Sequence, residues 1–173
     1  MKILLAILTT TISLFAISAE DIRANIKTQN IDGNFTQTKI LVGFPNAFKS
    51  YGNFSLKESE LIWHTLKPIN AKVIIGEDGI FEQRGEGLVK IGQNFDKKLF
   101  LSIVKLDLDE LKKEFDIQIL SLQNGWKIDL KPKNILFRQI FSYISVFGDK
   151  FVEKIELAEV SGDKTINEFY DIR

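Results

Sequence analysis

Residues 48–66 read FKSYGNFSLKESELIWHTL. In an extended chain, successive side chains point to opposite faces. Phe48, Ser50, Gly52, Phe54 and Leu56 therefore share one side, and Lys49, Tyr51, Asn53 and Ser55 share the other. Leu61–Leu66 reads as the next strand. Lys67-Pro68 stops it, because proline has no N–H to give to a ladder. Two strands in direct succession predict an antiparallel hairpin.

The same texture extends both ways. Downstream, 72–75 and 80–83 flank Gly76-Glu77-Asp78-Gly79, a hairpin signal. Upstream, Asn34–Val42 is a polar-rich strand containing Thr and Ile. Asp21–Gln29 is spaced for a short helix, with Ile22 and Ile26 on one face. The middle changes period: Phe100, Val104, Leu108, Leu111 and Phe115 recur at steps of three and four, with most lysines off that stripe. Asp107–Glu110 resembles a capping box, which predicts two helices with a break near Leu106. Strand texture returns at 116–122, and Asn124-Gly125 turns it tightly into 126–130. One or two helical turns are expected in 134–141. The end is a meander of 143–147, 151–160 and 165–172, turned at Gly148-Asp149 and Gly162-Asp163.

Strands that follow one another as hairpins, without strand–helix–strand alternation, make the class α+β. About ten strands in so short a chain must curl. A curled sheet with an apolar inner face needs a packed core or something to fill it. The expectation is an unclosed antiparallel β-barrel with helices over its apolar interior.

The chain has 173 residues, 45% hydrophobic and 27% charged, with 23 basic and 23 acidic side chains. It is too apolar for a disordered tail and too balanced in charge for general nucleic-acid binding. Without Cys there is no disulfide, thiol nucleophile or thiolate metal site, and with one His there is no His-rich metal cluster. Met1-Lys2, the apolar run Ile3–Ile17 and the small residues Ser18-Ala19 read as a secretory signal peptide. An N-terminal anchor is the other reading, but the run falls short of the roughly 20 apolar residues that a spanning helix needs. The division is 1–19 signal peptide and 20–173 one domain. Export without cysteine suits a bacterial periplasm.

Catalytic constellations are weak. His64 lies within a strand, where a surface or hydrogen-bonded role is the common one. No G-x-S-x-G elbow occurs, Glu77 and Asp78 suit a turn, and Gly85-Glu86-Gly87 lacks the context of a phosphate loop. An enzyme is not expected; a lipid or envelope-polymer hydrolase would need His64 as its base or a carboxylate pair that the sequence does not mark. The unusual feature is apolar surplus: fourteen Phe and two Trp. It fits either a generous core or an apolar cavity for a lipid.

Gly52–His64, Lys67-Pro68 and Gly76-Glu77-Asp78-Gly79 together resemble the LolA family of periplasmic lipoprotein carriers. That family has a Gly-led strand, a basic residue six places before a Trp, a Pro soon after, and an Asp-Gly hairpin. Phe35-x-Gln37 is similar to its earlier Phe-x-Gln element. Trp126–Leu130, Lys131-Pro132-Lys133, Gly148–Val152, Glu156–Glu159 and Gly162–Thr165 resemble LolA-like members found with lipid-export systems. The resemblance implies an unclosed β-barrel with a helical lid over a hydrophobic cavity, and a monomer that shields the acyl chains of lipoproteins between inner and outer membranes. It implies an inner-membrane ABC-type releasing complex or lipid exporter as donor and an outer-membrane acceptor. No cofactor is needed. A LolA-like carrier or accessory for a glycolipid or aryl-polyene lipid is the close alternative. The expected cavity lining is Phe48, Phe54, Leu56, Leu61, Trp63 and Phe81 from the first strands, Phe100, Val104, Leu108 and Leu111 from the lid, and Trp126 and Ile128 beyond it. Lys57 stands where the best-known carriers have arginine, and the resemblance implies that it latches the lid.

Overall fold

The computed structural model describes residues 17–173 apart from Ser59, Glu77 and 92–96; over 97–100 it describes the backbone alone. The expected signal peptide therefore lies almost wholly outside the described residues. Its end does not: Ser18 caps the helix α1 (Ala19–Asn25), accepting from the Asp21 N–H while the Asp21 carboxylate accepts from the Ser18 N–H. That reciprocal pair satisfies two N–H groups that a helix start otherwise leaves bare. It also holds the Asp21 carboxyl below its ordinary value, chiefly through the backbone hydrogen bond.

Eleven antiparallel strands follow: β1 (Ile31–Ile40), β2 (Phe48–Lys57), β3 (Glu60–Lys67), β4 (Ala71–Gly76), β5 (Gly79–Arg84), β6 (Gly87–Ile91), β7 (Phe115–Ser121), β8 (Trp126–Pro132), β9 (Phe141–Gly148), β10 (Val152–Glu159) and β11 (Lys164–Tyr170). They form one sheet in the order β6-β5-β4-β3-β2-β1-β11-β10-β9-β8-β7. Two meanders are thus joined where β11 returns to pair with β1, as in Phe35 opposite Phe169. β6 and β7 are the unpaired edges, so the barrel does not close. The class is α+β, as the hairpin pattern predicts. The eleventh strand is β6, which the sequence reading lacks; it is a short edge strand, exposed along most of its length.

The chain must cross from the β6 edge to the β7 edge, and it does so through α2 (Lys97–Val104) and α3 (Leu108–Glu114). The break falls at Leu106, as the capping signal predicts. The Leu106 N–H donates to the Ile103 carbonyl and the Asp107 N–H to the Ser102 carbonyl, which ends α2 in a Schellman motif. Leu106 occupies the left-handed position at φ 51°, where glycine is usual, and its side chain is buried. Burial of a leucine, about 1.5–3 kcal/mol, outweighs the roughly 1–2 kcal/mol that this backbone conformation costs. Asp107 then caps α3, accepting from the Glu110 N–H at 3.1 Å. Phe115, the last member of the helical stripe, begins β7 instead, because the helix ends at Glu114. A short helix α4 (Ile135–Arg138) links β8 to β9.

One sheet face carries the core. Period-2 alternation places Ile31, Phe35, Phe54, Leu56, Leu61, Ile75, Phe169, Ile155, Val146, Ile144, Ile128 and Leu130 there, all buried. Leu108 and Leu111 of α3 and Ile22 of α1 press onto the same face. Gly52 has a steric reason: a Cβ there would meet the His64 carbonyl oxygen at 2.0 Å and the Phe35 ring at 2.8 Å. The missing side chain lets Phe35 lie stacked on Trp63, with ring centroids 3.9 Å apart.

Candidate functional site: an apolar cavity beneath α2

Between α2 and the covered face lies a cavity of about 220 Å³. Trp63 (β3), Val73 and Ile75 (β4), Phe169 (β11), and Ile155 and Leu157 (β10) form its sheet side, and Ile103 and Val104 of α2 its helix side. Trp63 stacks on Phe35 and meets Phe169 edge-on at 6.0 Å; Phe169 meets Phe54 edge-on at 5.2 Å. Rings fixed against one another in this way make a rigid wall.

Among the described residues the lining has no charged member. Its polar members are Gln37 (β1) and Asn167 (β11), with Gln37 Nε2 donating to Asn167 Oδ1 at 2.9 Å. An amide pair on an apolar wall is tolerated because the two side chains partly satisfy each other. A larger open groove of about 690 Å³ runs past Asp32, Asn34, Asn53, Asp171 and Arg173. It is polar and offers no shelter to an apolar ligand, so the smaller cavity is the candidate site.

The expected lining residues divide. Trp63 and Val104 border the cavity. Phe54 backs it through Phe169, while Leu56, Leu61, Leu108, Leu111, Trp126 and Ile128 are buried in the closed core beside it. Trp126 donates from Nε1 to the Asp149 carbonyl at 2.9 Å, next to α1. Phe48 is 51% exposed at the outer end of β2, edge-on to Phe44. Phe81 pairs with Ile74, which puts it on the opposite face from Val73, Ile75 and Ile80. Its expected place in the cavity is therefore corrected: the β5 register turns the ring outward, beneath the Lys90 ammonium. The Phe100 side chain lies outside the described residues.

Lys57 is exposed at the end of β2 and pairs across the turn with Glu60. One tie between the helical segment and the sheet runs the other way: Lys105 Nζ, from the α2–α3 break, donates to the Glu58 carbonyl of the β2–β3 turn. A second tie joins α3 to α1 through Arg23 and Asp109. His64 sits on the face away from the cavity, its Nε2 3.1 Å from Asn70 Oδ1, matching the hydrogen-bonded surface role expected of it.

Ile103, Val73, Ile75, Ile155, Leu157, Asn167 and Phe169 were absent from the sequence-based lining. The alternation Thr165-Asn167-Phe169 was readable as one strand face, but only the pairing of β11 with β1 brings that face to the cavity. Gln37 carried a signal in the Phe35-x-Gln37 element.

No family profile and no curated protein sequence matches the chain. Solved structures do. A LolA superfamily protein from Nitrosomonas europaea superposes with a TM-score of 0.50 at 8% identity, covering 91% of this chain and 94% of that one. A DUF1329 family protein from Desulfovibrio piger gives a TM-score of 0.41 at 10% identity, covering 90% and 89%. At 8% identity the first likeness concerns fold alone: over nearly its whole length the chain is similar in fold to that LolA superfamily protein.

Proposed function

We propose that this protein is a carrier that shelters the acyl chains of lipoproteins in transit between the inner and outer membranes. The observation that carries the reading is the cavity bordered by Ile103 and Val104 of α2, whose described lining carries no charge. An acyl chain gains about 0.8 kcal/mol per buried methylene, so a 16-carbon chain gains roughly 12 kcal/mol in gross terms. A carrier that kept all of it could not release its cargo.

The small size of the cavity supplies the offset. At about 30 Å³ for a group the size of a water, 220 Å³ admits roughly seven such groups, less than half of that chain. Full burial requires α2 to lift, exposing Ile103 and Val104, which otherwise occupy the space themselves. Cargo and helix compete for one apolar wall, and the net affinity is their difference. The reading needs no cofactor and no catalytic residue. It includes export through residues 1–19, a periplasmic location, an ABC-type complex or lipid exporter as donor and an outer-membrane acceptor.

Native mass spectrometry of the protein purified from a periplasmic preparation, with a lipid extract of the same sample, tests this. A bound lipoprotein fits the proposal. A bound glycolipid or other envelope lipid keeps a carrier and changes its cargo. Empty protein that also fails to bind acyl probes of every chain length overturns it.

A further inference from the structure

Strand direction places the β1–β2, β3–β4, β5–β6, β8–β9 and β10–β11 connections at one end of the sheet, and the β2–β3, β4–β5, β7–β8 and β9–β10 turns at the other. Three connections at the first end are 39–49 (KILVGFPNAFK), 66–72 (LKPINAK) and 131–141 (KPKNILFRQIF). Together they hold seven lysines and arginines and no acidic residue, in a chain whose net charge is zero. The turns Lys57-Glu58-Ser59-Glu60 and Gly76-Glu77-Asp78-Gly79 at the far end are acidic on balance.

The same three connections hold the most exposed apolar side chains of the described residues: Ile69 is 74% exposed, Val42 65% and Ile135 64%. Phe44 and Leu136 are comparably bare. Contacts join the connections into one rim. The Val42 N–H donates to the Asp163 carboxylate of the β10–β11 turn, and Val160 of that turn, itself exposed, donates its N–H to the Ile140 carbonyl. The β3–β4 turn stands beside them because β3 pairs with β2.

Large apolar groups held out on loop tips cost solubility unless something covers them. These exposed side chains stand on separate connections and are flanked in sequence by Lys39, Lys49, Lys67 and Lys131. Apolar groups that reach the acyl boundary, ringed by cations at phosphate level, are the chemistry of an anionic membrane surface. We propose that this end of the sheet docks on an anionic lipid bilayer, with Val42, Phe44, Ile69, Ile135 and Leu136 seated among the headgroups. The contact is with the membrane itself and does not depend on what the cavity holds.

Co-sedimentation of the purified protein with phosphatidylcholine vesicles, with and without phosphatidylglycerol, tests this. Binding is expected on the anionic vesicles and should fade as salt is raised, because each lysine acts through a screened field. Phe44→Ser with Ile69→Ser should weaken it about tenfold or more. Lys49→Gln with Lys67→Gln and Lys131→Gln should weaken it by a similar factor on anionic vesicles only. Acyl-probe binding and thermal unfolding should not change in either set. Val42→Ser with Ile135→Ser serves as a second apolar pair if the first fails to fold. Absence of binding to anionic vesicles, or binding that both variant sets leave intact, overturns the proposal; the acyl-probe measurement separates that outcome from failure of the carrier reading.

Discussion

Gln37 and Asn167, 130 residues apart in the chain, share a 2.9 Å hydrogen bond between side-chain amides on the wall of an apolar cavity. The bond ties β1 to β11, the pairing that joins the two meanders. Asn167→Leu removes the acceptor and leaves the Gln37 donor beside apolar groups. A buried group left unmatched costs about 1–3 kcal/mol, whereas replacing both partners can be nearly neutral. Urea unfolding should therefore show Asn167→Leu less stable by that amount and Gln37→Leu/Asn167→Leu close to the parent.

The same pair predicts a change in binding. An unbranched alkyl chain strips solvent from both amides and returns no hydrogen bond. The double variant should hold an alkyl probe roughly tenfold more tightly, equivalent to about 1.4 kcal/mol. A fluorescent acyl-probe titration of parent and double variant measures it.

Gly52→Ala tests the packing beneath the cavity. Its Cβ would lie 2.0 Å from the His64 carbonyl oxygen and 2.8 Å from the Phe35 ring, and the obstruction is backbone that cannot swing away. Overpacking typically costs about 1–3 kcal/mol, and this site belongs at or above the upper end. The unfolding temperature should fall by about 6–12 °C or more, at roughly 2–4 °C per kcal/mol for a domain of this size, with near-ultraviolet dichroism of Trp63 altered.

Val104→Asp places a carboxylate on the cavity wall, where it stays only if α2 stands open or the group takes up a proton. Acyl-probe affinity should drop about tenfold or more at neutral pH, with far-ultraviolet dichroism of the sheet preserved. Unchanged affinity would mean that α2 does not border the binding site.

Hydrogen exchange in residues 97–114 discriminates between two lysines. Lys105→Met removes the bond to the Glu58 carbonyl and should speed exchange across the helical segment. Lys57→Leu should leave exchange unaltered, because that side chain is exposed at the end of β2. A charge-assisted hydrogen bond is worth about 1.5–3 kcal/mol when sheltered and less at an exposed site, so the change for Lys105 should be roughly tenfold.

Much of the fold was legible because each element carried a local signal. Alternation in 48–56 and 61–65, glycine turns at 76–79 and 124–125, and the Asp107 cap sit where the sequence puts them, since all of these depend on neighbours along the chain. The cavity was less legible because it depends on register and on the return of β11 to β1. Alternation shows that Phe81 and Ile80 face opposite ways; it does not show which of the two faces the helices. The apolar count likewise could not separate Trp63, on the cavity wall, from Trp126, sealed in the core near α1. The sequence pointed to Lys57 alone as a tie, because the path from the β6 edge to the β7 edge, which brings Lys105 over the β2–β3 turn, is not a local signal.

That separation of the two tryptophans provides the most direct test of an acyl chain beneath α2. Fluorescence quenching by a bromine-substituted 16-carbon fatty acid should be recorded for the parent, Trp63→Phe and Trp126→Phe. Trp63 borders the cavity and Trp126 does not. Strong, saturable quenching is expected in the parent and in Trp126→Phe, with most of it lost in Trp63→Phe. Equal quenching of both tryptophans, or none of Trp63 at saturating fatty acid, would contradict the account.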